Sequence, residues 1–120
     1  MAVDGPAIVV EAGTELTART AAQLRSSVVD ALTRGRLIDF NLESVQSYDA
    51  AGLGLLVGLK RRVEAADGHV VFAGPSAHLY SAIRRLHLHR VLDIRLNVPE
   101  PRSGDEQDLP SAGAAPARDS

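Results

Sequence analysis

Four histidines, His69, His78, His87 and His89, are the side chains of this chain best suited to bind a metal or move a proton. His87 and His89 are two residues apart, a spacing that suits one face of a strand. A zinc site needs more ligands, and neither a cysteine nor a convincing carboxylate pair lies near them. All four are expected to be surface or half-buried residues, with no metal or cofactor. Nucleophilic catalysis needs a hydroxyl beside a base that a third group holds in place. Ser76 and His78 come together only as a helix start. The chain has neither a GxSxG elbow nor a GxxxxGK[ST] phosphate loop, and Gly52, Gly54 and Gly58 miss the GxGxxG spacing. These absences make a non-enzymatic protein the expectation.

The informative stretch is Asp49 to Leu59, DAAGLGLLVGL. Asp49 is a good N-cap, able to accept backbone N–H bonds at the positive end of a helix. Ala50 and Ala51 then occupy the first turn. A phosphoryl group at that turn would add close to two negative charges beside Asp49, yet no hydroxyl is present there to carry one. The glycines cost about 1 kcal/mol each in helix propensity relative to alanine, so a role in close packing or partner approach is expected. Ala50 to Leu59 has no polar side chain, so such a helix is either buried all round or offers a surface. At helical spacing Gly52, Leu56, Leu59, Val63 and Ala66 form one stripe. Leu53, Val57, Lys60, Arg61 and Glu64 form the opposite one. Since the charged residues face water, Leu53 and Val57 are expected to be exposed as an apolar patch for a protein partner. The alternative is that a neighbouring loop, or the region of the third helix, covers them. Lys60-Arg61-Arg62, Arg84-Arg85 and Arg90 would form a basic patch if the second and third helices are neighbours; solvated helix faces explain the same charges.

The elements that position these residues follow from periodicity. Ala7 to Glu11 reads as a strand, and Gly13 to Thr17 as a loop with Thr17 a candidate N-cap. Ala21, Leu24, Val28, Ala31 and Leu32 mark an amphipathic helix that stops by Gly35. Leu37 to Leu42 is a second strand, Ala50 to about Ala66 a second helix closed by Asp67-Gly68, and His69 to Ala73 a third strand. Ser76 caps a third helix to about Leu86, and Val91 to Val98 is the last strand. Alternation of strands and helices implies a mainly parallel sheet with crossover helices, largely on one face in so short a chain.

Composition sets the limits. The 120 residues include 13 Lys plus Arg and 15 Asp plus Glu, net −2, with 45% hydrophobic residues and no cysteine or tryptophan. That length suits one domain. With Phe40, Tyr48, Phe72 and Tyr80 its only aromatics, the core is expected to be aliphatic. The charge balance disfavours nucleic acid and anionic membranes as partners. With no apolar run long enough to span a bilayer and no visible leader, a cytoplasmic location is expected. Residues 1–98 carry 11 basic and 10 acidic side chains, and residues 99–120 carry 2 and 5. That Pro/Gly/Ala-rich acidic end has too little apolar surface to offset its ordering entropy and reads as a disordered tail. A domain over 1–98 remains.

SYDAAGLGLLVGLKRRV, preceded by LIDFNLESV and followed by GHVVFAGPSAHLYSAIRRL, resembles the STAS domains of anti-sigma factor antagonists. The resemblance covers roughly residues 7–96 and includes GTELTARTAAQL. It implies an α/β domain with a four- to five-stranded, mainly parallel sheet and three or four helices packed on it. It also implies capture of a serine-kinase-type anti-sigma factor, which releases a sigma factor, by a monomer or weak dimer. In the family that kinase phosphorylates a serine just after the motif aspartate. Asp49 falls on that aspartate, Gly52, Leu53 and Gly54 on the Gly-Leu-Gly after it, and Asn41-Leu42 on the end of the preceding strand. Ala50 falls on the phosphorylated serine and Ala51 on a second hydroxyl position. Thr17, after a one-residue insertion at Thr14, falls on a loop aspartate. The resemblance therefore implies a partner surface of Thr17, Asp49, Ala50, Ala51, Gly52, Leu53, Gly54 and Val57 that phosphorylation at position 50 does not switch off. A structural subunit of a stressosome-like or lipid-transport assembly is the other reading.

Overall fold

In the computed structural model, which describes residues 6–97, four strands form a parallel sheet in the order β1-β3-β5-β6. They are β1 (Ile8–Glu11), β3 (Leu37–Asn41), β5 (His69–Ala73) and β6 (Ile94–Arg95). Between them run α1 (Ala21–Leu32), α2 (Ala50–Ala65) and α3 (Ala77–Arg85). The order advances in one direction, so right-handed crossovers put the helices on one face. Val10, Ile38, Phe40, Val70 and Phe72 point into that layer and are buried against Leu24 and Val28 of α1, Leu56, Leu59 and Val63 of α2, and Leu79 and Ile83 of α3. The core is aliphatic around one aromatic contact, Phe40 edge-on to Phe72 with ring centroids 5.7 Å apart. The other sheet face is polar: Arg95 donates to Asp39 at 2.8 Å, and His69 Nε2 lies 2.8 Å from Asp93.

The architecture and most element limits match the sequence reading. Three points differ. The segment expected to be a plain loop holds β2 (Glu15–Leu16), which pairs in parallel with β4 (Ser47–Tyr48). Thr17 does not cap α1; the N-cap position is Thr20, whose hydroxyl instead donates to the Glu15 carbonyl at 2.8 Å and holds a turn ahead of the helix. The last strand is short, because Leu88–Arg90 forms a 3-10 turn and only Ile94 and Arg95 pair with β5. The end of α2 is as expected, with Asp67 in the left-handed region (φ 61) and Gly68 N–H bonded to Val63 O at 2.9 Å. The glycine follows because a Cβ at 68 would stand 2.6 Å from the Arg36 carbonyl oxygen. Val98 and the tail at 99–120 lie outside the described residues.

Candidate functional site

The start of α2 is tied to the turn after β2 by one side chain. Asp49 has extended backbone (φ −137, ψ −178), and its Oδ1 accepts from Gly52 N–H at 2.8 Å. Its Oδ2 accepts from Ala18 N–H at 3.2 Å. The Gly52 bond, then the Ala18 bond, hold the carboxyl below the usual carboxylate range, and partial desolvation opposes them. Beneath it, Asp49 N–H bonds to Leu16 O at 3.2 Å. The first turn of α2 therefore rests on the Leu16 carbonyl, so closely that a Cβ at Gly52 would stand 1.8 Å from that oxygen. Gly52 is therefore required by its own chain's packing. A Cβ at Gly54 or Gly58 would meet nothing within 4 Å.

The exposed rim at this junction consists of Ala50, Ala51 and Gly54, with Thr17 half-buried beside it. Thr17 Oγ1 donates to Glu15 Oε2 at 2.6 Å and accepts from Arg19 N–H at 3.2 Å. Leu53 is not exposed as the stripe analysis expects: it is 5% accessible and belongs to the core. Val57 is half-buried against the same core. The charged residues at 60, 61 and 64 define the outward face only for the second half of α2. Over the first turn, the end of α3 stands across a groove. What opens there is a groove of about 450 Å³ lined by Tyr48, Asp49, Ala50, Leu53, Ala82, Arg85 and Leu86. Leu53 contributes to its wall, and Leu86, 55% exposed, is the apolar side chain available to a visitor.

Tyr48, Ala82, Arg85 and Leu86 are absent from the site read from sequence. The signal for Leu86 was a large apolar residue at a helix end directly after two arginines. Tyr48 is held by its hydroxyl, 2.9 Å from His78 Nδ1, which links the start of α2 to the start of α3. His69 is engaged with Asp93 on the far face of the sheet. His89 is held below the ordinary histidine value by desolvation first, and then by Arg84, Arg90 and His87. Of the basic residues, Lys60 pairs with Glu64 at 2.9 Å and Arg84 lies over the Tyr80 ring at 5.9 Å, so the clusters are partly neutralised or stacked.

The ordered sheet, the capped helix and the groove are accompanied by a match to the STAS domain family model over residues 1–100. The chain belongs to the STAS domain family. This STAS domain is 31% identical over 71 residues to the anti-sigma F factor antagonist of Lysinibacillus sphaericus, an alignment covering 58% of this chain and 61% of the relative. It thus spans about three fifths of that protein's length. Its fold is similar to a Thermotoga maritima protein assigned as an anti-sigma factor antagonist, with TM-score 0.65 and 22% identity over 80% of this chain and 87% of that one. The Bacillus anti-sigma factor antagonist SpoIIAA in its phosphorylated form gives TM-score 0.54 and 24% identity over 74% and 82% of the two chains. Among the described residues, no helix of the STAS domain is long and apolar enough to cross a membrane.

Proposed function

We propose that this STAS domain is a non-enzymatic regulatory module that binds a serine-kinase-type anti-sigma factor and so frees a sigma factor in the cytoplasm. The observation that carries the reading is the rim of α2. There a fixed carboxylate joins two segments, two exposed alanines stand where the family resemblance places hydroxyls, and an apolar groove opens alongside. The relative of Lysinibacillus sphaericus is an anti-sigma F factor antagonist, and the solved neighbour SpoIIAA exists in phosphorylated and unphosphorylated forms. With Ala50 and Ala51 at the rim, this chain keeps the docking surface and lacks the toggle. Control then rests on abundance, on another modification or on competition.

The test is titration calorimetry against a kinase-type anti-sigma factor, with ATP and phosphate mapping by mass spectrometry in parallel. Leu86→Asp places a charge on the exposed groove wall and is expected to weaken binding by at least about 2 kcal/mol, the scale of a hot-spot residue, with an unchanged melting curve. Ala50→Glu puts a permanent charge beside Asp49 and is expected to weaken binding similarly. Full affinity in both variants overturns the reading. So does phosphate on Ser44, Ser47 or Tyr48 that abolishes binding. Co-purification with a membrane ATPase or a very large particle, in place of a kinase, supports the structural-subunit reading.

A further inference from the structure

The groove between the start of α2 and the end of α3 has walls of unequal charge. On the α2 side stand Asp49, Ala50 and Leu53, and on the α3 side Ala82, Arg85 and Leu86. Asp49 is the acid of that lining, and its carboxylate is already engaged: Oδ1 accepts from Gly52 N–H and Oδ2 from Ala18 N–H. A cation brought by a visitor would have to compete with both bonds. Beyond it, Ala50 to Leu59 carries no charge. The α3 side is the reverse. From Gly74 to Leu92 the chain contains no Asp or Glu, while Arg84, Arg85, His87, His89 and Arg90 follow one another closely. Arg84 and Arg85 suit the negative end of a helix. That need ends with α3 at Arg85, and the chain goes on to add His87, His89 and Arg90. The field is felt inside the turn itself, where His89 is held below the ordinary histidine value by desolvation first and then by Arg84, Arg90 and His87.

We infer that this groove docks a short amphipathic protein segment in which a large apolar side chain adjoins an aspartate or glutamate, the apolar side chain lying on Leu53, Ala82 and Leu86 and the carboxylate pairing with Arg85. The inference rests on the reading of this groove as the docking face, and adds what the partner must bring to it. Size and surroundings fit a segment. At about 450 Å³ the groove falls in the lower half of the roughly 300–1,000 Å³ of small-ligand pockets, so it takes a few side chains and not the face of a folded domain. It is continuous with the exposed rim of Ala50, Ala51 and Gly54, over which a longer chain can pass. Arginine suits the carboxylate because its planar guanidinium can donate two parallel N–H bonds to it. The same guanidinium repels a segment that brings a cation, so Arg85 selects by charge while Leu86 supplies contact area. Ala50 lines the groove as well, and a negative charge placed there would compete with the visitor's carboxylate for Arg85. That is a physical reason for the loss of binding expected of Ala50→Glu.

The test is selection of a random peptide library, displayed on phage, against the full chain, followed by fluorescence anisotropy of the selected peptides with no anti-sigma factor present. The wild type is expected to enrich peptides that carry an apolar residue next to Asp or Glu. Leu86→Asp is expected to bind them about tenfold more weakly. Arg85→Glu is expected to bind them about tenfold more weakly too, and to regain them when lysine replaces the peptide's acid. Arg85→Gln keeps the side chain's polarity and loses its charge. It is expected to bind the acidic peptide and its amide analogue alike, and it decides the matter if Arg85→Glu fails to fold. Peptides without an acidic preference overturn the inference, as do peptides indifferent to Arg85→Gln or to Leu86→Asp. The chain itself contains Asp108-Leu109, a pair of the same kind. Binding of the selected peptides about tenfold tighter to Leu109→Ser than to the wild type would make the chain's own end the occupant and overturn a separate partner. The two readings of the groove fail separately. If acidic peptides bind as expected and the anti-sigma factor does not bind, the inference stands and the proposed function falls. If the anti-sigma factor binds wild type and Arg85→Gln equally, the proposed function stands and the inference falls.

Discussion

Gly52 and Gly54 are two residues apart on α2 and meet opposite surroundings. A methyl group at 52 would stand 1.8 Å from the Leu16 carbonyl oxygen, which is backbone and cannot swing aside. A methyl group at 54 or 58 would meet nothing within 4 Å. Gly52→Ala must therefore push the first turn of α2 off β2, at the roughly 1–3 kcal/mol typical of overpacking. Gly54→Ala and Gly58→Ala gain helix propensity and are expected to stabilise the chain by up to about 1 kcal/mol each. Urea unfolding of the three variants checks both signs. The same series separates folding from binding. Gly54 is on the exposed rim, so a more stable Gly54→Ala that binds the proposed anti-sigma factor partner less well would mean that its missing side chain makes room for that partner.

At the scale of elements, Asp49 is the joint between α2 and the turn after β2. Its carboxyl ionises below the unfolded value of 3.8, chiefly through the Gly52 and Ala18 N–H bonds. The sign follows directly. The contribution is fully present above pH 3.8 and is lost as the pH falls below it through the folded value. Asn also caps helices well but does not titrate there, so Asp49→Asn is expected to flatten the acid limb of the stability profile and change little at neutral pH. Chemical denaturation across that range is the measurement. This cap was legible from sequence because its chemistry is local: a carboxylate three residues before an N–H. The orientation of Leu53 was not. The polar residues that fix an outward face begin only at Lys60, and over the earlier half Leu53 turns into the core cluster instead. The β2–β4 ladder escaped for a similar reason, since two strands of two residues each, about 30 positions apart, leave no periodicity to read. The crossover order was legible because the strand and helix periods alternate cleanly, and handedness leaves the helices one face.

For the whole molecule, every buried apolar residue of the core among the described residues falls between Val10 and Leu92, and the last sheet pairing among them is at Arg95. The polar sheet face is already served by its own side chains, with Asp39 on Arg95 and Asn41 on Glu11. The segment 99–120 carries five acids, two bases and one large apolar residue, Leu109. On composition alone, that apolar content is expected to fall short of repaying an ordered backbone, at about 1–2 kcal/mol per residue fixed. A chain ending at Val98 is therefore expected to keep both its urea midpoint and its slope. The slope is the more telling quantity, because it scales with the surface exposed on unfolding. If the tail packed on the domain, its removal would lower the slope even where the midpoint held. An unchanged pair of values leaves net charge as the difference: the full chain is −2 and residues 1–98 are +1. The shortened protein should then differ from the full chain in the salt dependence of its association rate with a charged partner, and not in its folding.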